Sequence, residues 1–170
     1  SGVFSYDFSK KIDDIRDKTM FDVKSDDIES LEIFYKGKKT VLSRVKSEEK
    51  KDEAGKSEEE KKKAKKAQDR WVFAGNAQKE VDVAAVNAVI NSFGPLRANS
   101  FPTVEKNSLK AALCTVKITA GGKSHELSIY KGKEETTFPC HTNDSPYVFG
   151  LAKFAAERYF REPKDFEKRP

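Results

Sequence analysis

The residues of this 170-residue chain best suited to metal, redox or nucleophilic chemistry are two cysteines, Cys114 and Cys140, and two histidines, His125 and His141. Neither a Cys-x-x-Cys nor a His-Glu-x-x-His spacing is present, so no zinc or thiol-redox motif can be written from them. Cys140 and His141 are adjacent, but neighbouring strand residues point to opposite faces and would not converge on one metal. A Cys/His hydrolase would need distant strands to bring these groups together. The sequence therefore assigns no catalytic, cofactor-binding or metal-ligating residue and calls for no cofactor.

Cys114 shares the apolar face of its segment with Val116 and Ile118, and Cys140 alternates with Phe138. Both therefore point inward. In an oxidising compartment they can pair, closing a loop of about 25 residues and contributing ~3 kcal/mol. Otherwise they remain two buried thiols that behave as small hydrophobes. The spacing leaves both alternatives open.

Gly121-Gly122-Lys123-Ser124 has the look of a phosphate-binding loop, but the glycine required five residues before Gly122 is Lys117. It also joins two alternating segments, whereas a phosphate cradle opens a helix. A hairpin turn is the better reading. The acid pairs Asp13-Asp14 and Asp26-Asp27 fall at element ends, where capping or solvation accounts for them. Trp71 and the 12 phenylalanines are dispersed over periodic positions, as core residues are.

The elements that position these residues can be read from hydrophobic period. Leu31, Ile33 and Tyr35 alternate with Ser30, Glu32 and Phe34, which predicts a strand over 26–35. A turn at Lys36-Gly37-Lys38 leads to a return strand over 39–45, and Arg70-Trp71-Val72-Phe73-Ala74 forms another. Asp82 caps a helix whose stripe is Val83, Val86, Val89, Ile90 and Phe93, and Gly94-Pro95 ends it. The stretch 96–107 is irregular, anchored by Phe101-Pro102. Hairpin-linked strands follow: the Cys114 strand, then 126–130, 136–140 and 146–149. Leu151, Phe154, Ala155 and Tyr159 have the spacing of a final helix. This order predicts an α+β domain, with an antiparallel sheet built from hairpins and helices packed on it.

Thirty-three basic and 28 acidic residues give a net charge of +5, and mean hydropathy is −0.75. Much of that charge density sits in 46–70, where ten of 25 residues are basic and eight acidic. The signs nearly cancel and no aromatics alternate with the lysines, which argues against nucleic acid as a partner. A flexible surface insertion between two strands is expected there. No apolar run approaches the ~18 residues of a membrane span. Ser1 to Tyr6 shows no basic stretch followed by an apolar core, so no signal peptide is expected.

The two ends echo each other at an offset of 145: Val3-Phe4 with Val148-Phe149, and Arg16-Asp17 with Arg161-Glu162. On that reading residues 1–18 are the tail of a preceding unit and 19–170 form one complete unit.

The string from Ile15 to Val23, followed by Asp26 to Ile33, resembles the opening of domain-of-unknown-function family 4340. Arg70-Trp71-Val72-Phe73 resembles its tryptophan strand, and Val81 to Phe93 with Leu96 to Phe101 its helix and exit. Tyr147-Val148-Phe149 with Arg161-Glu162 resembles its close. The resemblance implies tandem units on the outer side of a bacterial membrane, reached through an anchor that is not in this chain, and association with ABC-type transporter genes of the gliding-motility kind. It carries no catalytic residues. The function expected is a non-enzymatic extracytoplasmic interaction module with a protein partner, periplasmic or on the envelope exterior. A small-ligand or glycan-binding domain is the alternative, a hydrolase a more distant one, and a cytoplasmic location the alternative address.

Overall fold

The computed structural model describes residues 17–45, 70–132 and 136–168. Nine strands, two α-helices and several single 3₁₀ turns occupy them. The two-residue period expected of a half-buried strand builds a seven-stranded antiparallel sheet from two meanders. The first comprises β2 (Ile28–Tyr35), β3 (Lys38–Val45) and β4 (Arg70–Phe73), and the second β6 (Cys114–Ala120), β7 (Lys123–Ile129), β8 (Thr137–Thr142) and β9 (Val148–Ala152). Spatial order is β4-β3-β2-β6-β7-β8-β9, so the meanders join only where β2 pairs with β6, from Ile28–Ala120 to Tyr35–Cys114. A two-stranded sheet of β1 (Thr19–Phe21) and β5 (Leu96–Arg97) completes the fold. The domain is α+β and dominated by its sheet.

Alternation decides which side of the large sheet is buried. Leu31, Ile33, Leu42, Val116, Ile118, Leu127, Ile129 and Leu151 lie on one face and are fully buried. The segment between the meanders covers that face. Its helix α1 (Val83–Ile90) starts at Asp82, whose carboxylate accepts from the backbone N–H groups of Ala84 (2.9 Å) and Ala85 (3.1 Å). Val86, Val89 and Ile90 go into the core, but Val83, expected on the same stripe, stays 47% exposed in the first turn. Phe93 follows in a 3₁₀ turn. At the exit, a Cβ on Gly94 would lie 2.5 Å from the Val23 carbonyl oxygen, so the close approach of these two backbones requires glycine.

Several expected boundaries change. Arg70, counted both in the charged insertion and in the strand expected over 70–74, is the first residue of β4 and pairs with Val45, and Ala74 falls outside that strand. The rest of that insertion, 46–69, lies outside the described residues, as do residues 1–16 with most of the terminal echo. The stretch 96–107 is not wholly irregular: β5 pairs with β1, and Ser100 and Gly150 form a bridge along the edge of β9. Phe101 is buried there against Phe149, at 5.5 Å between ring centres.

The last expected helix is the largest departure. Leu151 belongs to β9, and α2 spans only Lys153–Ala156. Phe154 faces solvent, 68% exposed, whereas Tyr159, expected on the same stripe, is completely buried. The chain bends after α2 because Tyr159 is drawn beneath the sheet, where it holds three elements together. Its hydroxyl donates to the Ser92 carbonyl (3.2 Å), its ring meets Phe93 edge-on at 5.3 Å, and its carbonyl accepts from the Cys114 thiol (3.4 Å). Phe160 then stacks on Tyr35 at 5.1 Å, and Phe166 closes the core below α1.

Tyr159→Ala is expected to cost about 3–5 kcal/mol in urea unfolding, as removal of a buried aromatic ring does. Tyr159→Phe should cost only about 1 kcal/mol, for the lost hydroxyl bond. Equal losses in the two variants would place the contribution in the hydroxyl instead of the ring.

Candidate functional site

Among the described residues, the two thiols and the two histidines are held apart by the sheet. Cys114 and Cys140 are both fully buried free thiols, so of the two alternatives the unpaired one is present. The reason is register: Cys114 and Cys140 each pair with Ile129, from opposite sides of β7. Two inter-strand spacings, about 10 Å, separate them, beyond the reach of a disulfide. Cys140 donates to the Phe149 carbonyl at 3.4 Å, much as Cys114 does to that of Tyr159. Burial pushes the Cys114 thiol up to about 12 and the Cys140 thiol up as well, so neither is a nucleophile near neutral pH.

The histidines lie on opposite faces of the sheet. His141, on the outer face, pairs with Ser128 and Val148. Partial burial, assisted by the Lys106 charge, lowers its pKa. His125, at the far end of the core face, accepts or donates through Nδ1 at 2.6 Å from the Asp144 carboxylate. Its ring meets the Phe21 ring at right angles, 5.9 Å between centres. Histidine–carboxylate geometry of this kind orients a catalytic base, and sequence reasoning missed it because Asp144 lies in a turn 19 residues away. Four residues along β7, about 13 Å, separate His125 from the row that holds both thiols. What the pair does is fasten a turn: beside it, the Asn143 side chain accepts from the Glu126 N–H (2.7 Å) and donates to the Ser124 carbonyl (2.8 Å). Among the described residues, no group of three or more His, Cys, Asp or Glu side chains could hold a metal ion.

The remaining candidates are structural. Gly121 and Gly122 form the β6–β7 turn with φ of 55° and 76°, values that favour glycine and make the hairpin. Asp26 and Asp27 sit in a 3₁₀ turn before β2, where the Asp26 carbonyl accepts from Arg44 (2.8 Å). Asp13 and Asp14 lie outside the described residues. Trp71 is buried in the core face of β4. Among the described residues, no helix is long and apolar enough to cross a membrane.

Three other features stand out. On the outer face, Phe34 is 50% exposed in a depression of about 270 Å³, lined also by Glu32, Lys39, Thr115, Lys117 and Glu126. A second, open depression of about 490 Å³ lies beside Gly94 and Pro95, with Asp22, Ser25, Asp26 and Asn91 on its walls. At the end of the sheet near the β2–β3 turn, Glu162 holds three lysines: Lys38 at 2.6 Å, Lys36 at 3.6 Å and Lys164 at 4.0 Å. The Lys38 hydrogen bond, with the nearby lysine charges, keeps the Glu162 carboxyl below its ordinary value.

Fold and surface together define an α+β domain with one covered and one solvated sheet face. The chain belongs to the family described as Domain of unknown function (DUF4340), whose model matches residues 1–116. The match ends within β6, so the likeness read at Tyr147–Phe149 and Arg161-Glu162 lies beyond it. No curated protein and no solved structure matches the chain.

Both thiols should resist a thiol reagent at pH 8 in the native chain and react fully in denaturant. Rapid native labelling of either would show an open path to it. Glu162 favours the folded state only while ionised, so its contribution is complete above pH 4.5 and is lost as the pH falls through its lower folded value. The urea midpoint of the native chain should therefore fall more steeply below pH 4.5 than that of Glu162→Gln.

Proposed function

We propose that this chain is a non-enzymatic extracytoplasmic interaction module, one unit of a longer membrane-anchored protein, that serves an ABC-type transporter or an envelope or gliding complex. Its location and its transporter association rest on the family resemblance. The observation that carries the interaction reading is Phe34, a large apolar side chain half-exposed on the open face of the sheet. It stands opposite Lys39 on β3 and Thr115 on β6. The next row places Glu32 opposite Lys117, and Lys117 opposite Glu126. An aromatic centre inside a charged rim is the pattern of a protein-interface hot spot. A solvated face needs no such residue for folding.

A small-ligand or glycan site is the second reading. The depression beside Gly94 and Pro95 favours it, because Ser25 and Asn91 offer hydroxyl and amide groups to a polar ligand.

A photo-crosslinking residue at position 34 in the full-length protein is expected to capture a defined partner in bacterial envelopes. Phe34→Ala should weaken that partner about 30-fold or more while shifting stability by less than about 1 kcal/mol. Capture of abundant, unrelated proteins alone, or an unchanged affinity in Phe34→Ala, would count against the reading.

A further inference from the structure

The net positive charge of the described chain is unevenly placed. Register fixes which residues share each end of the large sheet. Tyr35 pairs with both Lys38 and Cys114, Cys114 with Ile129, and Thr137 with Ala152. The β2–β3 turn, the end of β7 and the exit from β9 into α2 therefore open on the same side. Four inter-strand spacings from β2 to β9 make this end about 20 Å wide. The segment after α2 runs along it, since Phe160 packs on Tyr35 (5.1 Å) and against Phe138 (5.6 Å).

Cations collect there. Lys36, Lys38, Arg158, Arg161 and Lys164 are exposed, and against them stand Glu157, Glu162 and Asp165. Glu162 is shared among three of the lysines, and Asp165 is turned inward to accept from the Glu162 backbone N–H (2.8 Å). Glu162 and Asp165 thus hold the chain and Glu157 is exposed, which leaves five exposed cations against three acids. Phe154 stands at the same end, on the short helix α2, and is the most exposed large apolar residue of the described chain. The opposite end of the sheet mixes both signs, with Asp26, Asp27, Arg44, Lys123 and Asp144.

We propose that this end of the sheet is a docking surface for an anionic phospholipid membrane, with the cations at headgroup level and the Phe154 ring inserted among the acyl chains. The charge complementarity is that of a basic cluster on a negatively charged leaflet, where each cation strengthens binding. The exposed phenylalanine is what separates this occupant from a soluble polyanion. A ring as exposed as that of Phe154 gains by entering the apolar layer just below the headgroups. Docking by this end would leave the Phe34 face standing clear of the membrane.

The test is co-sedimentation of the full chain with vesicles of phosphatidylcholine, alone or with phosphatidylglycerol. Binding is expected to the anionic vesicles only, and to fall as salt rises. The triple variant Lys36→Gln, Arg158→Gln, Lys164→Gln leaves the Lys38–Glu162 bond in place and should weaken binding about 100-fold, at roughly a fivefold loss per cation. Phe154→Ser should weaken it about tenfold or more, with the circular dichroism of every variant unchanged. Equal binding to neutral vesicles, no binding to either, or an unaffected triple variant would overturn the proposal. So would Phe154→Ser binding as well as the native chain while heparin competes fully, since the surface would then be a general polyanion site.

Discussion

Everything in this domain depends on covering one face of a seven-stranded sheet that its own strands cannot cover. A sheet buries nothing on its apolar side unless another layer lies against it. Here that layer is thin: one helix of eight residues, the two 3₁₀ turns that bury Phe93 and Phe166, and the chain around Tyr159. Tyr159 joins them, because its ring, hydroxyl and carbonyl reach Phe93, Ser92 and Cys114 from one position. The exit from α1, the seating of Cys114 and the path of the C-terminal segment all follow from that plug. Burial also raises the Tyr159 phenol above its ordinary range, which keeps the hydroxyl neutral as a donor.

The same constraint sets the environment of the thiols and keeps them from the histidines. A thiol on the covered face of an antiparallel sheet sits in a dry, close-packed layer, and the low polarity there opposes its ionisation. Histidine and cysteine neighbours on one strand are divided by the sheet itself, as Cys140 and His141 are. The contacts proposed above use surfaces that the core leaves free, the outer face around Phe34 and one end of the sheet.

Much of this was legible in the sequence, and the failures have identifiable causes. Period-two alternation located β2, β3, β6 and their turns, because each has one wet and one dry face. Asp82 marked the start of α1 through its cap chemistry. The final helix was misjudged because Leu151 and Tyr159 are both apolar and eight residues apart, a spacing that fits a helix as well as a strand followed by a turn. Only tertiary packing separates the two. Strands β1 and β5 escaped notice because three- and two-residue strands have no period to detect. The Phe34 site was visible only as the polar side of a strand pattern. The His125–Asp144 contact required two turns to meet in space, which no local spacing encodes.

Strand β3 hands over to β4 at a fixed pair of residues. Val45 and Arg70 face each other directly in the ladder, so the chain leaves the sheet and returns to it one strand spacing away. Closing a loop between two such fixed points grows costlier only with the logarithm of its length, by about 0.6 kcal/mol for each doubling. The sheet is thus nearly indifferent to how many residues intervene. A tag or reporter domain inserted between these two fixed points should therefore leave the pairing of β3 with β4 in register.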